Sequence, residues 1–156
     1  MPTLEIKTEK KLKVQFVKIH PKAQLPVYAT EGSAGMDLVN VLEKPLTLQP
    51  SERGKVPTGL IMILENGYEG QVRPRSGLAA KYGITLTNCV GTVDSDYRGE
   101  ICCLMINLGN EPYTIQPGER IAQLVIAPVI QVETELIDKI PEETVRGTGG
   151  FGSTGK

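Results

Sequence analysis

The run Pro74-Arg75-Ser76-Gly77 carries groups that suit an anion. Arg75 offers a planar fork of N–H donors that matches phosphate oxygens. Ser76 and Gly77 open the segment SGLAAKY, which predicts a short helix over 76–82 with Ser76 as its N-cap and Gly83 as its stop. Unpaired N–H groups at that start would face the same anion. A helix cap beside a surface arginine would use the same residues. Asp94 sits in NCVGTVDSDYRGEI (88–101), after an apolar pair and ahead of Asp96, Tyr97 and Arg98. A carboxylate beside bound phosphates can take a proton from water, and Asp and Gly are also ordinary turn residues. Gln123 interrupts the apolar run RIAQLVI. A buried amide needs a partner, in the core or on a ligand, or it costs roughly 1–3 kcal/mol. Asp37 in SAGMDL (33–38) is a further carboxylate, and taken alone it reads as structural.

The last stretch, RGTGGFGSTGK (146–156), holds five glycines around a lone aromatic, Phe151. Glycine loses the most backbone entropy on ordering, and this segment offers little apolar area in return. It reads as a loose arm. Its backbone N–H groups, Arg146, Ser153, Thr154 and the Phe151 ring suit a phosphorylated ring compound. Residues 150–156 also fit G-x-x-x-x-G-K, but a P-loop needs a strand before it and a Ser or Thr and a helix after the lysine. Lys156 is the last residue given, so a P-loop NTPase is not expected.

The elements that must position these groups are strands. Seventeen glycines and 11 prolines in 156 residues break helices repeatedly and point to short strands joined by turns. Leu12, Val14 and Phe16 alternate with polar residues as in a half-buried strand, and Leu46 and Leu48 do the same. LIMIL (60–64), ICCLMI (101–106) and LVIAPVI (124–130) are apolar throughout, which predicts cover on both sides. The segment 88–101 reads as two strands joined by an acidic turn. The architecture expected is an all-β sandwich or barrel with one short helix and a glycine-rich C-terminal arm. So many doubly covered strands favour an oligomer.

Composition narrows the function. One domain is expected at this length, with a tail over 1–11, a β domain over 12–140 and the arm over 141–156. A net charge of −1 gives no global positive field, so long nucleic acid is not an expected partner. The N-terminal residues MPTLEIKTEKK lack the apolar run of a signal peptide, and no segment approaches a membrane span. The three cysteines read as small buried hydrophobes rather than a disulfide framework, with the cytoplasm as compartment. His20 is the only histidine, so multi-histidine zinc sites are excluded.

In order along the chain, SAGMDL, PRSGLAAKYG, NCVGTVDSDYRGEI, PGERIAQLVI and RGTGGFGSTG resemble the five ordered motifs of the homotrimeric deoxyuridine triphosphatases (dUTPases). The resemblance runs from about Val14 to the C-terminus. It implies a distorted jelly-roll, or β-clip, fold. It implies hydrolysis of dUTP to dUMP and pyrophosphate, with Asp94 as the general base for a water attacking the α-phosphorus. Mg2+ would ride on the phosphates, with Asp37 near it through water. Arg75, Ser76, Gly77 and Gln123 match the phosphate-holding positions. Asn88, Gly91, Thr92, Val93 and Cys102, in a hairpin over 88–102, would receive the uracil, and Tyr97 would pack under the deoxyribose. Arg146, Phe151, Gly152, Ser153 and Thr154 would arrive on the arm, with Phe151 stacked on the uracil. In this family the arm of one subunit completes a site made by the other two. Met36, Cys89 and the Thr92-Val93 pair depart from the usual pattern without removing a polar group. The dCTP deaminases share the fold and resemble the Pro-Arg-Ser and 88–102 segments, but need an acid in the strand after the turn, where ICCLMI has none.

Overall fold

A computed structural model describes residues 12–150. Alternation around Phe16 produces β1 (Gln15–Lys18), which pairs antiparallel with β5 (Leu60–Ile63). Leu46 and Leu48 lie on β3 (Leu46–Leu48), paired with β10 (Tyr113–Ile115). A four-stranded sheet runs β2 (Met36–Val39), β11 (Arg120–Pro128), β6 (Tyr68–Pro74), β8 (Gly91–Val93). A three-stranded sheet runs β4 (Arg53–Pro57), β9 (Cys102–Asn107), β7 (Ile84–Leu86). All these pairings are antiparallel, and no two paired strands are consecutive in the chain. The result is a jelly-roll-like β fold with one short helix among the described residues, as expected.

The apolar faces of the two larger sheets share one core. Leu38, Val72, Ile121 and Leu124 from one meet Val56, Ile84, Cys103 and Met105 from the other, each almost completely buried. The helix α1 (Ser76–Tyr82) occupies the expected residues and closes on Gly83 in the left-handed conformation, with φ of 69°. Its N-cap is Arg75, with extended backbone, so Ser76 is the first helical residue rather than the cap.

Two further expectations need correction. β8 and β9 do not pair: each joins a different sheet, so the segment 88–102 is a connection between sheets and not a hairpin. Local sequence could not reveal this, because both strands take partners distant in the chain. The double cover expected for ICCLMI and LVIAPVI is only partly supplied within one chain, and the rest was expected from an oligomer. β9 alternates, with Cys103 and Met105 inside and Leu104 outside at 38% exposure. LVIAPVI buries Leu124 but leaves Val129 and Ile130 exposed. The thiols are free, and Cys89 is exposed rather than buried. Cys102 is half-buried, and burial pushes the Cys103 thiol up to about 12.

The turn leading into β11 is held from below by Asn40, which is 1% exposed. Its Nδ2 donates to the carbonyls of Gln116 and Glu119, both at 2.9 Å, and its Oδ1 accepts from Leu42 N at 3.1 Å. Asn40→Ala should orphan those groups, lower stability by about 1–3 kcal/mol and depress Tm by several degrees. A thermal melt that matches the parent would show that the amide does not hold the turn.

Candidate functional site

β2 and β11 pair so that Asp37 lies opposite Gln123, and β6 lies on the other side with Arg73 opposite the same glutamine. Arg75 follows β6 and Ser76-Gly77 begin α1, so all these residues gather at one end of the sheet. Asp37, Arg75, Ser76, Gly77 and Gln123 line one open recess of about 330 Å³, together with Ser33, Ala34 and Gly35. Arg75 Nε lies 3.1 Å from Asp37 Oδ1, and Arg120 Nη1 lies 3.1 Å from Asp37 Oδ2. Arg75 Nη1 also donates to the Arg120 carbonyl at 3.2 Å. The guanidinium of Arg75 is thereby aimed, with donors left over. Gln123 Nε2 donates to Pro74 O at 3.0 Å, so its amide is both fixed and half-buried. A cluster of N–H donors beside one doubly engaged carboxylate is a place for phosphate oxygens.

Asp94 is elsewhere. It follows β8 and is exposed, lining a second and larger recess of about 1080 Å³ with Thr92, Asp96, Arg98 and Glu69. Val93 pairs with Gly70 near the start of β6, whereas Arg75 lies just past its end. At the strand rise, Glu69 and Arg75 are separated by about 20 Å. Within one chain, Asp94 therefore stands far from the anion recess.

The turn after Asp94 is tied internally. Arg98 Nη1 donates to the carbonyls of Ser95 at 2.7 Å and Tyr97 at 3.0 Å. Tyr97 Oη donates to Glu100 O at 3.2 Å, and its ring lies where a Cβ on Gly99 would be. Asn88 carries its amide against Gly91. β8, which contains Gly91, Thr92 and Val93, is the edge of its sheet, so its outer backbone groups have no strand partner among the described residues. Cys102 opens β9 beside Glu100, and burial, ahead of that neighbouring carboxylate, raises its thiol. Arg146 lines neither recess, and its Nε donates to Gly149 O at 3.0 Å. Phe151, Gly152, Ser153 and Thr154 lie outside the described residues, as does the tail over 1–11.

Three residues escaped the sequence reading. Arg120 was visible only as part of PGERIAQLVI, and its ion pair depends on β2. Gly35 stands where a Cβ would overlap the Gln123 amide oxygen, and Gly99 where a Cβ would strike the Tyr97 ring. Their only signal was a glycine within two residues of a motif acid or arginine. Among the described residues, no group of three or more His, Cys, Asp or Glu is placed to hold a metal ion. No described helix is long and apolar enough to cross a membrane.

A family model described as dUTPase matches residues 21–155. Over 149 residues the chain is 54% identical to the deoxyuridine 5'-triphosphate nucleotidohydrolase of Wolbachia sp. subsp. Brugia malayi, covering 94% of this chain and 96% of that protein. The protein of the same name from Rhizobium leguminosarum bv. trifolii is 57% identical over 133 residues, covering 84% of this chain and 85% of that one. The solved Staphylococcus bacteriophage 80alpha dUTPase with dUPNHPP aligns at a TM-score of 0.83, covering 92% of this chain and 99% of that chain. At 24% identity that likeness bears on the fold.

Gly35→Ala should push the Gln123 amide aside, and such overpacking costs about 1–3 kcal/mol. The urea midpoint should fall, and Gln123→Ala in the same chain should recover most of the loss. An equal fall in both backgrounds would mean that Gly35 does not make room for Gln123.

Proposed function

The chain belongs to the dUTPase family, and from that premise we propose that it hydrolyses dUTP to dUMP and pyrophosphate. The observation that carries this reading is the recess that Arg75, Ser76, Gly77 and Gln123 line together with Asp37. Its donors suit a chain of phosphates. Asp94 is the general base in this reading. It takes a proton from a water whose oxygen bonds to the α-phosphorus, while the bond to the bridging oxygen of the departing pyrophosphate breaks. Its exposed position beside an open recess leaves room for substrate and water.

The edge strand β8 supports the placement of the base. Backbone groups of Gly91, Thr92 and Val93 that no described strand uses can meet the edge of a pyrimidine, with Asn88 beside them and Cys102 across the connection. A site built for uracil's N3–H and O4 leaves buried groups unpaired against cytosine, which discriminates strongly. Tyr97, tied down by Glu100 and seated on Gly99, offers a fixed ring face for the deoxyribose. The arm brings Arg146, Phe151, Gly152, Ser153 and Thr154 over the bound nucleotide, excluding water and aligning the phosphates.

The separation of Asp94 from the anion recess supports a site shared between copies. In this reading a homotrimer places the Asp94 segment of one copy against the recess of a second, and the arm of the third completes the site. Each Asp37 oxygen already faces an arginine, so a protein cage for a cation does not fit this donor set. A Mg2+ ion held by phosphate oxygens and water does fit it, with Asp37 near it through water. When bound, that ion supplies neutralisation of phosphate charge. The compartment in this reading is the cytoplasm, where free thiols persist.

Release of pyrophosphate should be seen from dUTP and not from dCTP, dTTP or UTP. Deamination of dCTP instead would overturn the reading. Asp94→Asn should leave KM near the parent value and lower kcat by about 10²–10⁴-fold, and turnover near the parent rate would remove Asp94 as the base. Deleting residues 146–156 should leave a folded protein with very poor turnover. Full activity in the shortened protein would exclude a role for the arm.

A further inference from the structure

β11 carries an irregularity that sets the direction of one arginine. Opposite β2, Ala122 pairs with Leu38 and Arg120 with Val39, so two residues of β11 span one step of its partner. In a regular strand, Arg120 and Gln123, three residues apart, would point to opposite faces. The extra residue shifts the phase, as a β-bulge does when it re-aims a side chain. Ile121 and Ala122 are both buried, while Arg120 reaches Asp37, the residue directly opposite Gln123.

Arg120 then touches the anion recess only through others. It does not line that recess. Its Nη1 donates to Asp37 Oδ2 at 3.1 Å, its carbonyl accepts from Arg75 Nη1 at 3.2 Å, and Asp37 Oδ1 meets Arg75 Nε at 3.1 Å. The three residues close a ring in which two independent contacts fix the plane of the Arg75 guanidinium. Asp37 and Arg75 are each under one-third exposed, whereas Arg120 is 59% exposed. The outer arginine anchors the carboxylate, and the carboxylate orients the inner arginine. The backbone below is anchored as well, because Asn40 holds the carbonyls of Gln116 and Glu119 just before Arg120.

We propose that Arg120 is a positioning residue for phosphate binding, acting through Asp37 to hold the Arg75 guanidinium in the orientation that receives a polyphosphate. This rests on the recess being the phosphate site of the function proposed above. Free rotation of Arg75 would have to be lost on binding in the variant, whereas the parent has lost it already.

The test uses inorganic tripolyphosphate as probe, read by calorimetry on the full-length protein, beside dUTP kinetics. Arg120→Met keeps the aliphatic stem and removes the charge, so the fold is spared. It should weaken tripolyphosphate binding by up to about tenfold, the cost of ordering one freed side chain, and raise KM more than it lowers kcat, with Tm unchanged. Arg120→Lys should recover part of the affinity by meeting Asp37 Oδ2 alone. In an Asp37→Asn background, Arg120→Met should add little further loss. Parent-like affinity in Arg120→Met, independent and additive losses for the two substitutions, or no binding of tripolyphosphate to the parent would each overturn the inference. If dUTP is not hydrolysed but the probe's affinity still depends on Arg120 through Asp37, the proposed function falls and the positioning role stands.

Discussion

The ladder between β6 and β11 is the constraint on which the rest depends. Its seven pairs run from Ala122 opposite Pro74 to Pro128 opposite Tyr68. Because the register holds along that length, Gln123 is fixed across from Arg73, and Arg75 emerges beside the start of α1. The same ladder sends the opposite end of β6 to β8, where Asp94 follows Val93. A one-residue slip would turn every side chain to the wrong face. Leu124, Val72 and Leu38, nearly inaccessible on the core side, make such a slip costly. Core packing thus sets the spacing of polar groups on the outer face.

That spacing gives the single chain two incomplete halves. One half holds two arginines on a single carboxylate. The other is a carboxylate beside an edge strand whose outer backbone groups have no strand partner among the described residues. In the proposed reading, neither half alone offers both a phosphate cradle and a base. Exposed apolar residues on the outer side, Leu104, Val129 and Ile130 among them, are the kind of surface that association covers. Binding and assembly become one problem in this account.

Local features were legible in the sequence, and pairings were not. The helix over 76–82, with its glycine stop, follows from alanine content and a left-handed glycine, both local in origin. β3 and β5 follow from alternation and from an apolar run. The separation of β8 and β9 into different sheets was hidden, since an acidic turn between apolar runs looks the same whichever partners they take. Ser76 as cap failed because the extended backbone that precedes the helix belongs to Arg75. Cys89 was misread because a small sulfur residue between turns has no periodicity to follow. The recess residues Asp37, Arg75, Ser76, Gly77 and Gln123 were all named from sequence. Arg120 was not, because its meaning depends on a bulge that only the pairing with β2 reveals.

In the proposed site, Asp94 and Arg75 come from different copies of the chain. Complementation between two inactive proteins, Asp94→Asn and Arg75→Ala, unfolded together in equal amounts and refolded, tests this sharing. A shared site predicts that about a quarter of the sites regain an intact base and an intact cradle, with activity to match. If the refolded mixture stays as inactive as the two proteins alone, both residues must serve the same site from one chain, and the account is contradicted.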